Sequence, residues 1–245
     1  MTNTSKLLIP ALAFTMAACS GDARSANKDT ADSTEVAQAP DSAVQAGPTL
    51  RKAPAVIRGI YLNAYAAGST KRLGTLLALA DSTEINTFVV DVKDEKGMRY
   101  RTELPLQKEI GGEVTISNLK ALVDSLHAHK VWASARIVVF KDPMLSVAKS
   151  EWSIKNPSGG LWQDKAGNTW VSAWDPNVWE YNIAIAEEVL KAGFDEVQFD
   201  YVRFPEPFPS LPKQIHPNAK GDRTDAIGWR HSHRHDQRSG NVLRV

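Results

Sequence analysis

Four short runs dense in β-branched and aromatic residues, spaced by helical stretches, constrain this chain more than any other feature. They are Ile57 to Asn63 (IRGIYLN), Thr87 to Lys93 (TFVVDVK), Val131 to Phe140 (VWASARIVVF) and Glu196 to Phe204 (EVQFDYVRF), with the composition of strands. Between the first two, Leu73, Leu76, Leu77 and Ala80 recur at i, i+3, i+4 and i+7. Leu119, Leu122, Val123 and Leu126 repeat the spacing before the third, which is the buried stripe of a helix. A third helix is expected to open at Asp175-Pro176, an N-cap followed by proline at the first helical position, and to close near Gly193. Strands joined by helical crossovers make a parallel sheet with helices outside, either doubly wound or a (β/α)8 barrel. After the first strand LNAYAAGS holds one glycine, not the Gly-x-Gly-x-x-Gly of a dinucleotide-binding sheet. The expected fold is therefore α/β of the (β/α)8 TIM-barrel type, with only the first half, about four βα units, present.

The rest of the chain divides by composition. A hydrophobic fraction of 42% over 245 residues suffices for one core, and a formal charge of +1 gives no reason to expect a nucleic-acid partner. Lys6 precedes an apolar run from Leu7 to Ala18, too short for a stable bilayer span and built like a secretory signal. It ends in Met16-Ala17-Ala18-Cys19, which is similar to a bacterial lipobox. Residues 1–19 therefore read as a lipoprotein signal peptide, with Cys19 lipidated and the membrane a partner through that anchor at the cell envelope. As the only cysteine, Cys19 also rules out a disulfide within the chain. Residues 20–54, rich in Ala, Ser, Asp, Thr, Gln and Pro, read as a disordered linker, and 55–212 as the partial barrel. Residues 213–245 are expected to be an irregular tail. After Ala226 it becomes IGWRHSHRHDQRSGNVLRV, without helical or strand period, and is expected to reflect a frameshift or truncation. His231, His233 and His235 would suit a metal, but the changed frame is the simpler account, so no metal or cofactor is expected.

In such a barrel the ligand site lies at the C-terminal ends of the strands, and the chain's charges gather there. Those ends hold Tyr61 and Asn63, then Asp91 and Lys93, then Arg136, then Asp200 and Arg203. Asp91 and Lys93, two apart, are expected to share the face toward the barrel axis, since charge against packed helices is the worse option. Structural ion pairs closing the barrel top are an equal reading for Lys93 and Arg136. Asp200 reads as functional, because Pro205, Pro207 and Pro209 break the chain just after it into a loop suited to shaping a pocket. Arg203, Arg136 and Lys93 are the cations expected to hold it ionised. The long third loop, from Lys141 to Asp175, carries four of the seven tryptophans: Trp152, Trp162, Trp170 and Trp174. LWQDKAGNTW reads as a hairpin turning through DKAG. Its indoles either stack on sugar rings, Trp162, Trp170 and Trp174 being the candidates, or pack the loop onto the barrel.

The stretches GIYLNAY, VVDVKDEKG, ARIVVFKDP, WVSAWDP and FDEVQFDYVRFP, between about Arg58 and Pro212, resemble a bacterial family of glycoside hydrolase domains catalogued as domain of unknown function 4015 and related to the α-amylase-like barrels. The resemblance implies hydrolysis of a poly- or oligosaccharide at the cell envelope. An aspartate ending the fourth strand is the nucleophile in the related barrels, which implies that role for Asp200. Their acid, a glutamate on the next strand, has no counterpart in this chain, and Glu206 or Asp91 would have to substitute, so the chain as it stands is expected to be inactive or nearly so. The alternative is a non-catalytic, lipid-anchored module that binds carbohydrate in the same cleft. Nothing in the sequence fixes the oligomeric state.

Overall fold

The computed structural model describes residues 51–221. The expected signal peptide and Cys19, most of the linker, and His231, His233 and His235 lie outside the described residues. The elements run β1 (Gly59–Leu62), α1 (Ala64–Gly68), α2 (Thr70–Ser82), β2 (Thr87–Asp94), β3 (Gly97–Met98), α3 (Pro105–Ile110), α4 (Leu119–Ala128), β4 (Trp132–Val138), α5 (Pro143–Ala148), α6 (Pro176–Lys191) and β5 (Glu196–Asp200).

β1, β2, β4 and β5 lie side by side in that order, all parallel. Sequential order without reversal is that of a (β/α) barrel opened out, and four strands are half of its eight. Among the described residues the outer edges of β1 and β5 pair with no further strand. The expected helices are present with the expected boundaries. Asn118 caps α4 by accepting from Ala121 N at 2.9 Å. Asp175 caps α6 by accepting from Asn177 N at 2.9 Å, with Pro176 at the first helical position. The chain leaves α6 through Gly193 at φ +109°, a left-handed conformation that glycine adopts without steric cost.

The register divides the sheet into two chemically distinct faces. Phe88, Val90, Ala133, Ala135, Ile137, Val197 and Phe199 are buried with Leu77, Leu122, Val123, Leu126, Ile185 and Val189 of the helices in one apolar core. The opposite face carries Tyr61, Val89, Asp91, Trp132, Ser134, Arg136, Glu196, Gln198 and Asp200. In a barrel that polar face lines the axis.

Sequence reasoning misplaced Lys93 and left two further features unread. The register slips between Asp91 and Lys93, where Asp91 pairs with Arg136 and Lys93 with Ile137. A bulge inserts one residue and so reverses the facing of everything beyond it. Lys93 therefore lies on the face opposite Asp91, fully buried, with Nζ 2.8 Å from Asp142 Oδ2, bonded to the Val138 carbonyl and 5.6 Å above the Tyr181 ring. Second, DEKG turns β2 into the short hairpin strand β3, with Gly97 at φ +86°.

Third, residues 212–220, though without helix or strand, bond to the third loop. Lys155 and Ile215 exchange backbone bonds of 2.8 Å each, Trp162 Nε1 donates to Pro212 O at 2.8 Å, and Trp174 Nε1 donates to Lys220 O at 2.8 Å. This segment straps the third loop down.

Candidate functional site

At the C-terminal ends of the strands one guanidinium joins two carboxylates. Arg136, on β4, places Nη1 2.6 Å from Asp91 Oδ1 and Nη2 2.6 Å from Asp200 Oδ2, while its Nε donates to Asp200 Oδ2 at 2.8 Å. Tyr61, from β1, donates its hydroxyl to Asp91 Oδ2. The Arg136 guanidinium lies 5.7 Å from the Tyr61 ring centroid. Tyr61, Asp91, Arg136 and Asp200 thus form one network across all four parallel strands, on the face a barrel turns toward its axis.

The two carboxylates differ in access. Asp91's side chain is 3% exposed and Asp200's 41%. Asp91 is occupied by Arg136 and Tyr61, whereas Asp200 keeps a solvent-facing side. Burial works against the Arg136 charge, but the bonds to Asp91 and Asp200 outweigh it and raise its pKa. Desolvation first, and the bond to Asp91 second, raise that of the Tyr61 phenol. Tyr61 therefore stays protonated and donating, and Arg136 stays charged.

Beyond Asp200 the chain turns through Tyr201 at φ +55°. Holding a non-glycine residue there costs on the order of 1 kcal/mol and is characteristic of functional sites. The turn lets Tyr201 N donate to Asp200 Oδ1 at 2.6 Å, fixing the carboxylate from its own backbone. The Tyr201 ring centroid lies 4.9 Å from Lys141 Nζ and 5.4 Å from the Arg203 guanidinium, and it meets the Trp170 ring edge to face at 5.8 Å between centroids. Lys141 in turn pairs with Glu95 at 3.2 Å. Sequence reasoning overlooked Tyr201 and Lys141, although both stand in quoted stretches, because neither the positive φ nor the stacking has a periodic signature.

The other expected site residues fall outside the network. Asn63 caps α1, its side chain accepting from Ala66 N at 2.9 Å. Lys93 belongs to the helix-facing core and cannot hold Asp200 ionised. Arg203 is exposed and stacks on Tyr201 and, at 5.3 Å, on Trp170 rather than pairing with Asp200. DKAG forms the expected hairpin, with Gln163 bridging Thr169 and Gly167 N donating to Asp164 O at 3.0 Å. Its flanking indoles are core: Trp162 is 1% and Trp170 2% exposed, so neither presents a face to a sugar. Trp174 packs on Phe204 and His216, each 4.8 Å away between centroids.

With this geometry established, comparison with known proteins fixes the class. Residues 59–229 match the family described as "putative glycosyl hydrolase domain", domain of unknown function 4015. The match runs past Pro212, in agreement with the ordered strap. A crystal structure of a hypothetical protein from Ruminiclostridium thermocellum ATCC 27405 is 35% identical, with a TM-score of 0.68, covering 76% of this chain and 95% of that one. The chain belongs to this family, and its domain is of the glycosyl hydrolase type.

Fainter likenesses include a GH20 exo-β-N-acetylglucosaminidase from Vibrio harveyi, 15% identical at a TM-score of 0.49, covering 61% of this chain and 28% of that one. A maltogenic α-amylase from Thermotoga neapolitana is 16% identical at 0.43, covering 58% of this chain and 38% of that one. The chain thus spans well under half the length of either enzyme. A search of curated proteins gave no match.

Proposed function

We propose that this domain cleaves a glycosidic bond in a poly- or oligosaccharide, with Asp200 as the carboxylate that meets the sugar. The carrying observation is the contrast within the network. Asp200, at the end of the fourth parallel strand, is held by Arg136 and by the Tyr201 amide yet leaves part of its side chain open, while Asp91 is spent positioning Arg136. A carboxylate fixed in orientation and charge, with one side free, can attack an anomeric carbon or stabilise the positive charge that develops there. Hydrolysis also needs a proton donor for the leaving oxygen. Asp91 is poorly suited, being enclosed by a cation and a phenol.

Reducing-end release from a panel of polysaccharides tests this. Asp200→Asn keeps the shape, and turnover is expected to fall by about a thousandfold or more, as when a group acting in the transition state is removed, with the melting temperature nearly unchanged. No release by the parent protein, or equal release by the variant, refutes the proposal.

The apolar run ending at Met16-Ala17-Ala18-Cys19 supports a location at the cell envelope through lipidated Cys19. Cys19→Ala is then expected to move the protein from the membrane to the soluble fraction. Equal membrane association of parent and variant refutes the anchor.

A further inference from the structure

A pocket of about 170 Å³ opens between the tip of the third-loop hairpin and the proline-broken segment after β5, walled by Asp164, Lys165, Trp170, Arg203, Glu206 and Phe208 among others. Tyr201 joins it to the site above, following Asp200 in the chain and contacting both Trp170 and Arg203. Complete small-molecule sites enclose roughly 300–1,000 Å³. A volume this small takes part of a ligand, on the scale of one sugar ring.

The polar groups on its walls are unevenly engaged. The Asp164 carboxylate is saturated, accepting from Trp170 Nε1 at 3.0 Å, from the backbone N of Ala166 and of Asn168 at 2.9 Å each, and from Asn168 Nδ2 at 3.4 Å. Arg203, besides its stacking, donates among the described residues only to its neighbour's carbonyl, Phe204 O, at 3.2 Å. Lys165 Nζ sits 3.3 Å above the Phe208 ring. Among the described residues neither cation has a carboxylate within ion-pair distance, and Glu206 has no cation.

Two cations, Lys165 and Arg203, face two carboxylates, Asp164 and Glu206, so the walls carry no net charge to attract an anion, and Glu206 would repel one. A neutral pyranose fits this inventory better. Each of its hydroxyls both donates and accepts, and the walls offer it cationic donors and one open carboxylate acceptor.

We propose that this pocket is a sugar subsite of the Asp200 centre, taking one ring of a neutral glycan, with Arg203 and Lys165 donating to its hydroxyls and Glu206 accepting from them. The proposal rests on the reading of Asp200 as the reacting carboxylate, and the experiment separates the two.

Calorimetric titration of the Asp200→Asn protein, in which no bond is cleaved, measures binding apart from chemistry. The probes are maltotetraose, cellotetraose, xylotetraose and chitotetraose, all neutral, and tetragalacturonate as the acidic comparison, each at millimolar concentration. At least one neutral probe is expected to bind, and to bind more tightly than tetragalacturonate. Adding Arg203→Met should weaken that binding about tenfold, the worth of a hydrogen bond from a charged group. Glu206→Gln, at an exposed position where folding is not at stake, should weaken it by a smaller factor. Glu206→Gln should leave the melting temperature unchanged, and Arg203→Met should lower it only slightly, through the lost stacking on Tyr201 and Trp170. Tighter binding of tetragalacturonate, binding indifferent to both substitutions, or binding of none of the five overturns the subsite. If the subsite fails while Asp200→Asn still abolishes turnover, the Asp200 reading stands alone.

Discussion

Replacing Arg136 by methionine separates the roles of the two carboxylates it joins. The substitution keeps an unbranched stem, two atoms shorter, and removes the charge and the donors. Asp91, with its side chain 3% exposed, is left with the Tyr61 hydroxyl as its remaining polar partner, while Asp200, at 41%, can turn to water. Breaking a buried ion pair by removing one partner costs about 3–5 kcal/mol. Tyr61 keeps the Asp91 part at the low end, about 3 kcal/mol, and solvent screening limits the Asp200 part to about 1 kcal/mol or less. The expected loss is therefore about 3–4 kcal/mol, or roughly 6–15 °C in melting temperature for a domain of this size. Arg136→Lys should recover only part of it, because one ammonium cannot reproduce a fork that meets two carboxylates. Urea unfolding followed by tryptophan fluorescence measures these differences, provided the slope with denaturant stays constant. The reasoning is refuted if Arg136→Met costs less than about 1 kcal/mol, within the range of ordinary surface changes. It is refuted equally if Asp200→Asn proves as costly as Arg136→Met, since the two carboxylates would then not differ in how they depend on the guanidinium.

Two further outcomes follow from the third loop. Trp162→Ala should cost about 3–5 kcal/mol through lost core packing, and should speed hydrogen exchange at the Lys155 and Ile215 amides, which bond to each other's carbonyls beside the strap that Trp162 holds at Pro212; a stable variant with slow exchange at both would show that the indole does not anchor the strap. Burial raises the pKa of Asp164, but the Trp170 indole, the Asn168 and Ala166 amides and the Asn168 side chain together lower it below its ordinary value. Its contribution to stability is then complete above the unfolded carboxylate value of about 4 and is lost as pH falls through the lower folded value. Asp164→Asn should flatten that acid limb of a stability-versus-pH curve, and an unchanged limb counts against the assignment.

The parallel sheet, its three main helices and the polar strand ends were legible in the sequence because each rests on a local period. The i, i+3, i+4, i+7 stripes bury against the sheet, and Asp175-Pro176 starts a helix by its own chemistry. The charges at Asp91, Arg136 and Asp200 were legible for the same reason, since polar residues in apolar runs require partners. What escaped depends on contacts between distant segments. Nothing near Trp162 announces that its indole will meet the carbonyl of Pro212, fifty residues on in the chain. The tail looked irregular because segments that bond to a loop rather than to a sheet have no period of their own.

The bulge at Asp91 shows why one stretch, VVDVKDEKG, serves two purposes. With a regular pleat Lys93 would join Asp91 on the axis face, adding a second cation near Asp200 and competing with Arg136 for the same carboxylates. One extra residue sends Lys93 into the helix layer instead, where Asp142 and the Val138 carbonyl satisfy it. Asp142 also caps α5, accepting from Leu145 N at 2.9 Å, and α5 opens the third loop. The buried pair thus fixes the root of the loop whose far end forms the pocket, while Arg136 remains the cation that Asp91 and Asp200 share. The irregularity that sequence periodicity could not reveal therefore sets both the charge of the candidate site and the anchoring of the loop above it.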